Sequence, residues 1–489
     1  MKRVFALILA LLMLVGCLVS CNNTPNTNDG SSDSSDAPKY PPVEPADATL
    51  FVGYAREDIT PPEEMWSKLC LAGYADPRTI EEVRDSLFAS CTAFRDAEGD
   101  TALVYTIDIH SMGTAQANAF CSAITKATKV QKSNIILNVT HTHASPWLDR
   151  DEYVKYISDA LVKAGEAAIA DLKACTELYG GEINMKYYTF CRRYLDEEGS
   201  LYGVGYYGDK QIVAHESDGD YMIPVARFVR DGGKDVLLVN FASHCDTVKS
   251  YGYPNTLTAD YVATFRNVIE HELDVHFSMQ LGATGDLAPT TALPNEPNFF
   301  GSGTTAYGQN LAYKVIEELR NLPQLEIKGN VEAKKSDVRV EVNHESDHLV
   351  EKANEVYALY MASDDKTAAE EKMREYGIAS VYEAMWISNR YGLGQYDRRN
   401  ISAISIGNIV FGVADYEMVS NTGRLVKDAG NELFDLTFMC PYSNGMESYI
   451  AADYSFDNGG YEVYSTVYVR GTAEQIADGI IELITELAE

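Results

Sequence analysis

From about Leu50 to Glu489 the chain alternates short apolar runs with stretches whose apolar residues recur every three or four positions. The runs at 102–109, 133–140, 235–241, 277–281 and 404–413 are continuous rather than alternating, which predicts strands buried on both faces. Between them, residues 151–172 place Val154, Ile157, Leu161, Ala164, Ala168 and Leu172 near the 3.6-residue period of a helix with one face on a sheet. Residues 472–488 behave alike, with Ile476, Ile480, Leu483, Ile484 and Leu487 as the buried stripe and Thr472 with Gln475 as a capping box. Residues 259–272, 307–319 and 349–360 are further predicted helices. The expected fold class is α/β: one large domain at 49–489 with a central mixed β-sheet flanked by helices.

In such sheets, sites gather beyond the carboxyl ends of the strands. The run 133–140 leads into His141 and His143, two of only nine histidines in 489 residues. If the strand continued, both side chains would share a face. Alone, such a pair is more often two ordinary half-buried histidines. Three other strands, however, end in Ala242-Ser243-His244-Cys245, in Gly282-Ala283-Thr284-Gly285-Asp286 and in Ala414-Asp415-Tyr416-Glu417. Imidazoles from separate strands plus a carboxylate suit a zinc or similar divalent site with an open position. Such an ion lowers the pKa of bound water from 15.7 to about 7, which is hydrolytic chemistry.

A competing motif, His344-Glu345-Ser346-Asp347-His348, fits the H-E-x-x-H pattern of zinc proteases, which needs both histidines on one helical face. Its context is wrong: it follows an alternating strand, and Asn343 and Ser346 read as turn residues. No G-x-S-x-G elbow and no G-x-x-x-x-G-K-[ST] phosphate loop occurs.

Composition adds location. A net charge of −32 and a pI near 4.6 argue against nucleic acid or anionic membranes as partners of the globular part. Met1-Lys2-Arg3 and the apolar run to Val15 form an export leader at 1–20, too short for a comfortable span. It ends in tetrapeptides closing on Cys17 and Cys21 that resemble bacterial lipoprotein signals. We read Cys21, or else Cys17, as a lipid anchor to the membrane, and 21–48, rich in Asn, Asp, Ser, Thr and Pro, as a disordered polar stalk. The expected location is that of an exported bacterial lipoprotein, at the cell surface or in the periplasm. The remaining cysteines are scattered without a C-x-x-C pair, so buried free thiols are expected.

Together these motifs resemble the catalytic domain of the neutral, non-lysosomal ceramidases. The likeness begins at Asp58-Ile59-Thr60-Pro61. It continues through Thr140-His141-Thr142-His143-Ala144-Ser145-Pro146, Phe241-Ala242-Ser243-His244, Thr284 to Pro289 and Gly412 to Glu417, and closes with Asn444 to Tyr449 and Gly459 to Glu462. The resemblance implies one zinc ion per chain, held by His141, His244, Glu417 and Tyr449. It implies that metal-bound hydroxide attacks an N-acyl amide of a small-molecule or lipid substrate, with His143 and Tyr461 at the carbonyl oxygen. Arg192 and Arg193 match a basic segment of bacterial relatives suited to bidentate contacts with a substrate carbonyl or carboxylate, though a structural ion pair fits them equally. Asp286 is expected to orient a histidine, or else only to shape a tight turn.

Three departures bear on the substrate. Ala288 replaces the serine of the family's G-D-x-S-P, which makes ceramide itself doubtful. Tyr416 replaces the glycine of P-G-E, which is expected to reshape the pocket beside Glu417. The family's C-terminal immunoglobulin-like domain has no counterpart after 472–488, which points to a smaller or more polar substrate than membrane ceramide. Two alternatives remain open: a catalytically inactive surface lipoprotein that binds lipid, glycan or peptide, and an H-E-x-x-H protease using His344, Glu345 and His348.

Overall fold

The computed structural model describes residues 48–489 apart from 75–77, 204–210, 251, 364 and 447; the expected leader, and the expected stalk as far as residue 47, lie outside the described residues. The principal strands of the first half are β1 (Leu50–Asp58), β2 (Phe88–Asp96), β3 (Thr101–Ile107), β4 (Ile135–Val139), β5 (Lys173–Asn184), β6 (Met222–Arg230), β7 (Val236–Phe241) and β8 (His276–Leu281). They form a mixed sheet in the order β8-β7-β6-β5-β1-β2-β3-β4, with a short ninth strand, Gln324–Leu325, beside β5. Two pairs in it are parallel: β3 with β4, and β7 with β8.

The continuous apolar runs have a simple cause. One face of this sheet, through Phe51, Leu137 and Val239, packs with Ile157 and Leu161 of helix α2 (Asp151–Ala170), Ile269 of α3 (Tyr261–Leu273) and Leu311 of α4 (Thr304–Glu318). Helix α1 (Thr114–Thr128) joins the same layer through Phe120 and Ile124. The other face, through Leu50, Val52, Ile136 and Leu238, meets a second sheet at Ile404, Phe411 and Phe438. Both faces of β1 and β4 are therefore dry, and alternation disappears from their sequence.

That second sheet was not expected. It runs β9 (Val331–Glu341), β10 (Tyr396–Ile406), β11 (Ile409–Ala414) and β13 (Leu436–Cys440), with β11 and β13 parallel. The single strand expected at 404–413 is a hairpin: Ile406 pairs with Ile409 across Gly407-Asn408, and Gly407 has φ 57°. Such a two-residue turn needs positive φ, which glycine supplies at no steric cost. Between β9 and β10 the chain inserts helices α5 (Val350–Ala362), α6 (Thr367–Tyr376) and α7 (Val381–Arg390), which share a small core of Ala353, Val356, Ile378, Ala384 and Ile387.

Helix α8 (Ser420–Asn431) and α10 (Thr472–Ala488) cover the outer face of the second sheet, where Val426, Ile476 and Ile480 meet Ala403, Val410 and Met439. The layers thus read helices, sheet, sheet, helices, with the large mixed sheet at the centre. The periodic stripe of α10 is buried as expected, but its capping box is absent. Gly471 is the N-cap residue, the Thr472 hydroxyl donates to the Val469 carbonyl, and the Gln475 amide reaches the Arg339 carbonyl. Among the described residues no helix is long and apolar enough to cross a membrane.

Candidate metal centre

The parallel pairs β3–β4, β7–β8 and β11–β13 bring their carboxyl ends together, and each end contributes polar side chains. Beyond β4 the backbone continues to pair with the segment after β3: Thr140 N–H donates to Ile107 and His141 N–H to Ile109, 2.9 and 3.0 Å. The strand itself has ended at Val139, and His141 takes a left-handed φ of 58°. Strand alternation is therefore not what pairs the two histidines. The turn at His141 brings its Nε2 within 3.2 Å of His143 Nε2, and the His143 amide is fixed by the Cys245 carbonyl at 2.8 Å.

Asn138, one residue before the end of β4, ties the two sheets together. Its amide donates to the Pro441 carbonyl at 2.8 Å and its oxygen accepts from Leu281 N–H at 2.7 Å. The Tyr442 ring, reached by a residue with φ 57°, lies 4.9 Å from the His141 ring.

His141, His244 and Glu417 form a buried group whose ligand atoms all lie within 4.8 Å of one another. His141 Nε2 is 3.7 Å from Glu417 Oε1, and His244 Nε2 is 3.9 Å from Glu417 Oε2. Each imidazole is oriented from behind: His141 Nδ1 bonds the His110 carbonyl at 2.9 Å, and His244 Nδ1 bonds the Thr284 and Leu287 carbonyls at 2.8 and 3.0 Å. With Nδ1 donating, the Nε2 lone pairs face Glu417, the arrangement metal-ligating histidines adopt. Burial, with Arg192 and His141 adding to it, holds His244 well below the usual imidazole range, so it is neutral. Glu417 Oε2 is buried and makes no hydrogen bond. A buried carboxylate oxygen without a donor is costly, and a cation between these three residues would satisfy it; the donor set fits a divalent ion.

Glu417 sits on a two-residue strand, β12 (Glu417–Met418), parallel to β14 (Tyr449–Ile450), and there Glu417 and Tyr449 are directly opposite. The Tyr449 hydroxyl is 3.3 Å from His244 Nε2 and accepts from Arg192 Nη2 at 3.0 Å. Burial and the nearby Glu417 push that hydroxyl well above its ordinary pKa, so it is protonated here. The Tyr461 ring is 5.3 Å from the Tyr449 ring, at the start of a one-turn helix, α9 (Tyr461–Tyr464). His143, held well below the usual imidazole range by burial and by His141 and His110, completes the cluster.

The structure redistributes three expected roles. Arg193 does not reach the site: wholly buried, it pairs with Glu216 and with Glu462 and donates to the Gly459 carbonyl. The arginine beside the cluster is Arg192, whose Nε bonds Glu462 at 3.0 Å while its Nη2 bonds Tyr449 and the Gly285 carbonyl. Asp286 touches no histidine. Its carboxylate accepts from the Ser420 N–H and hydroxyl, 2.6 and 3.0 Å, which fastens the Thr284–Leu287 turn behind His244 to the segment carrying Glu417. Tyr416 does not line the site either, because its ring is wholly buried in the core beneath α8 and α10.

The H-E-x-x-H segment is not a metal site. His344 precedes a single 3-10 turn at Asp347–Leu349, its Nδ1 bonds Asp347 at 2.9 Å, and His348 Nδ1 bonds the Glu345 carbonyl at 3.0 Å. Neither belongs to a metal-capable group among the described residues. The seven cysteines at and after Cys70 are free thiols, six of them buried, as expected.

Sequence reasoning missed His110. It lies three residues beyond β3, the parallel neighbour of β4, and its ring is 4.3 Å from His141 and 4.9 Å from His143. The signal was available, since the run 102–109 ends in His110 as the next runs end in His141 and His244.

This is a mixed α/β fold with a histidine–carboxylate centre at strand carboxyl ends. No family model matches the chain, and no curated protein sequence does. Among solved structures it is similar to the neutral ceramidase from Pseudomonas aeruginosa, with a TM-score of 0.68 at 15% identity over 90% of this chain and 75% of that one. It is similar also to a ceramidase complexed with C2, with a TM-score of 0.67 at 16% identity and the same coverage. The chain therefore has the neutral-ceramidase fold.

Proposed function

We propose that the protein is a zinc-dependent hydrolase of linear N-acyl amide bonds, acting on a small-molecule or lipid substrate. The observation that carries this reading is the meeting of His141, His244 and Glu417 within 4.8 Å, with a buried Glu417 oxygen left unpartnered, on a fold shared with ceramidases. Two imidazoles, a carboxylate and the Tyr449 oxygen make a four-ligand set of the kind zinc takes. When bound, such an ion supplies a Lewis acid and an activated water.

The chain's own groups do the rest. His143 Nε2, 3.2 Å from His141 Nε2, is placed to bond the substrate carbonyl oxygen. The Tyr461 hydroxyl is the second donor to that oxygen as negative charge develops on it. Arg192 holds Tyr449 through its hydroxyl and sets a fixed positive charge beside the same oxygen. At Ala288 there is no hydroxyl to serve as a side-chain nucleophile. The leader and stalk pattern at 1–48 supports placement on an exported lipoprotein anchored through Cys21.

The test is hydrolysis of N-acyl amides of graded chain length by the purified full chain. Turnover abolished by a chelator, restored by zinc and absent in Glu417→Gln is expected. Turnover that survives both chelation and Glu417→Gln would sink the reading, and so would hydrolysis of no substrate in the series.

A further inference from the structure

A second metal-capable group lies against the first: His110, His141 and His143 also place one ligand nitrogen each within 4.8 Å of one another. Their rings are 4.3, 4.8 and 4.9 Å apart. The two groups share His141, whose Nδ1 is taken by the His110 carbonyl. Only its Nε2 can bind a metal, and one lone pair serves one ion. If the first ion holds that nitrogen, as the proposed function requires, His110 and His143 remain.

Both of these have a free nitrogen. His110 Nδ1 is engaged by the Ser111 hydroxyl at 2.9 Å, which leaves Nε2. His143 Nδ1 is buried against Gly73 without a hydrogen-bond partner, so the nitrogen it offers a metal is Nε2, which faces His141 and is the one the proposed function gives to the substrate. The Trp147 ring, 5.0 Å from the His110 ring, and the Tyr74 ring, 5.2 Å from His143, wall the space.

We propose a second divalent-cation position, formed by His110 and His143 beside the His141–His244–Glu417 centre and filled when metal is in excess. Two features make it the weaker of the two. Neither of its donors carries a negative charge, and the Arg78 guanidinium, bonded to the His143 carbonyl, adds a positive charge nearby. Imidazole donors select zinc, copper or nickel over magnesium or calcium. Occupation also takes His143 away from the substrate, so excess zinc inhibits.

The experiment is equilibrium dialysis of the full chain against rising zinc, with metal per chain as the readout. His110→Phe keeps a ring of similar size without nitrogen, and His110→Gln is a second, polar replacement; circular dichroism checks that each is folded. The wild type is expected to climb from one ion per chain to two, and both variants to stop at one. Activity should fall over the second step in the wild type and stay level in the variants across the same zinc range. A wild type that saturates at one ion, or variants that still reach two, would overturn the proposal. A wild type that binds no ion at all would instead remove the first site.

Discussion

Glu462 is a buried carboxylate between two guanidiniums, and its replacement by glutamine isolates one cause. Its two oxygens take Arg192 Nε at 3.0 Å and Arg193 Nη1 at 2.8 Å, and its side chain is wholly inaccessible. Burial alone would raise its pKa, but Arg192 and Arg193 outweigh it and hold the carboxyl below the ordinary range. Glutamine keeps one acceptor, so one charge-assisted bond is lost, at about 1.5–3 kcal/mol. The two arginines also lose the charge between them, and breaking a buried pair from one side costs about 3–5 kcal/mol in all. A depressed carboxylate pKa contributes stability that is present above the unfolded value of about 4.3 and is lost as pH falls through the folded one. The assay is the urea midpoint of wild type and Glu462→Gln, followed by circular dichroism from pH 7 down to about pH 3, below the unfolded carboxyl value. The gap should be full at pH 7 and narrow on acidification. Equal midpoints at pH 7, or a gap that widens toward acid, would refute this reasoning.

Asn138→Leu should lower stability by about 1–3 kcal/mol, because it leaves the buried Leu281 N–H without its acceptor and removes the amide that ties the Pro441 carbonyl across the sheets; a denaturant midpoint measures it. Gly73→Ala should lower kcat while metal content holds, since Gly73 has φ 93° and an added Cβ would lie 2.4 Å from the His143 ring; paired kinetics and metal analysis check both halves. Tyr461→Phe should cut kcat by about 10²- to 10³-fold with KM little changed, the usual effect of losing one oxyanion donor; steady-state kinetics on the best N-acyl substrate decides it.

Much of the frame was legible because burial on both faces erases alternation, so 133–140 and 235–241 announce themselves as core strands, and the polar residues after them are conspicuous. The hairpin at 404–413 was hidden for the same reason: Gly407-Asn408 interrupts an apolar run by only two residues, and the second sheet went with it. His141 and His143 were paired correctly by an argument that fails, since the strand stops at Val139 and a left-handed turn does the pairing. Of Arg192 and Arg193, sequence alone could not say which faces the site. That is settled by Glu216 and Glu462, 23 and 269 residues from Arg193 along the chain.

The central claim is that His141, His244 and Glu417 hold a metal ion, and metal content after purification without chelator tests it most directly. The account predicts close to one zinc per chain in the wild type and in His344→Ala, and none in folded His141→Ala or His244→Ala. A wild type without metal, or an ion retained by both histidine variants and lost in His344→Ala, would contradict it.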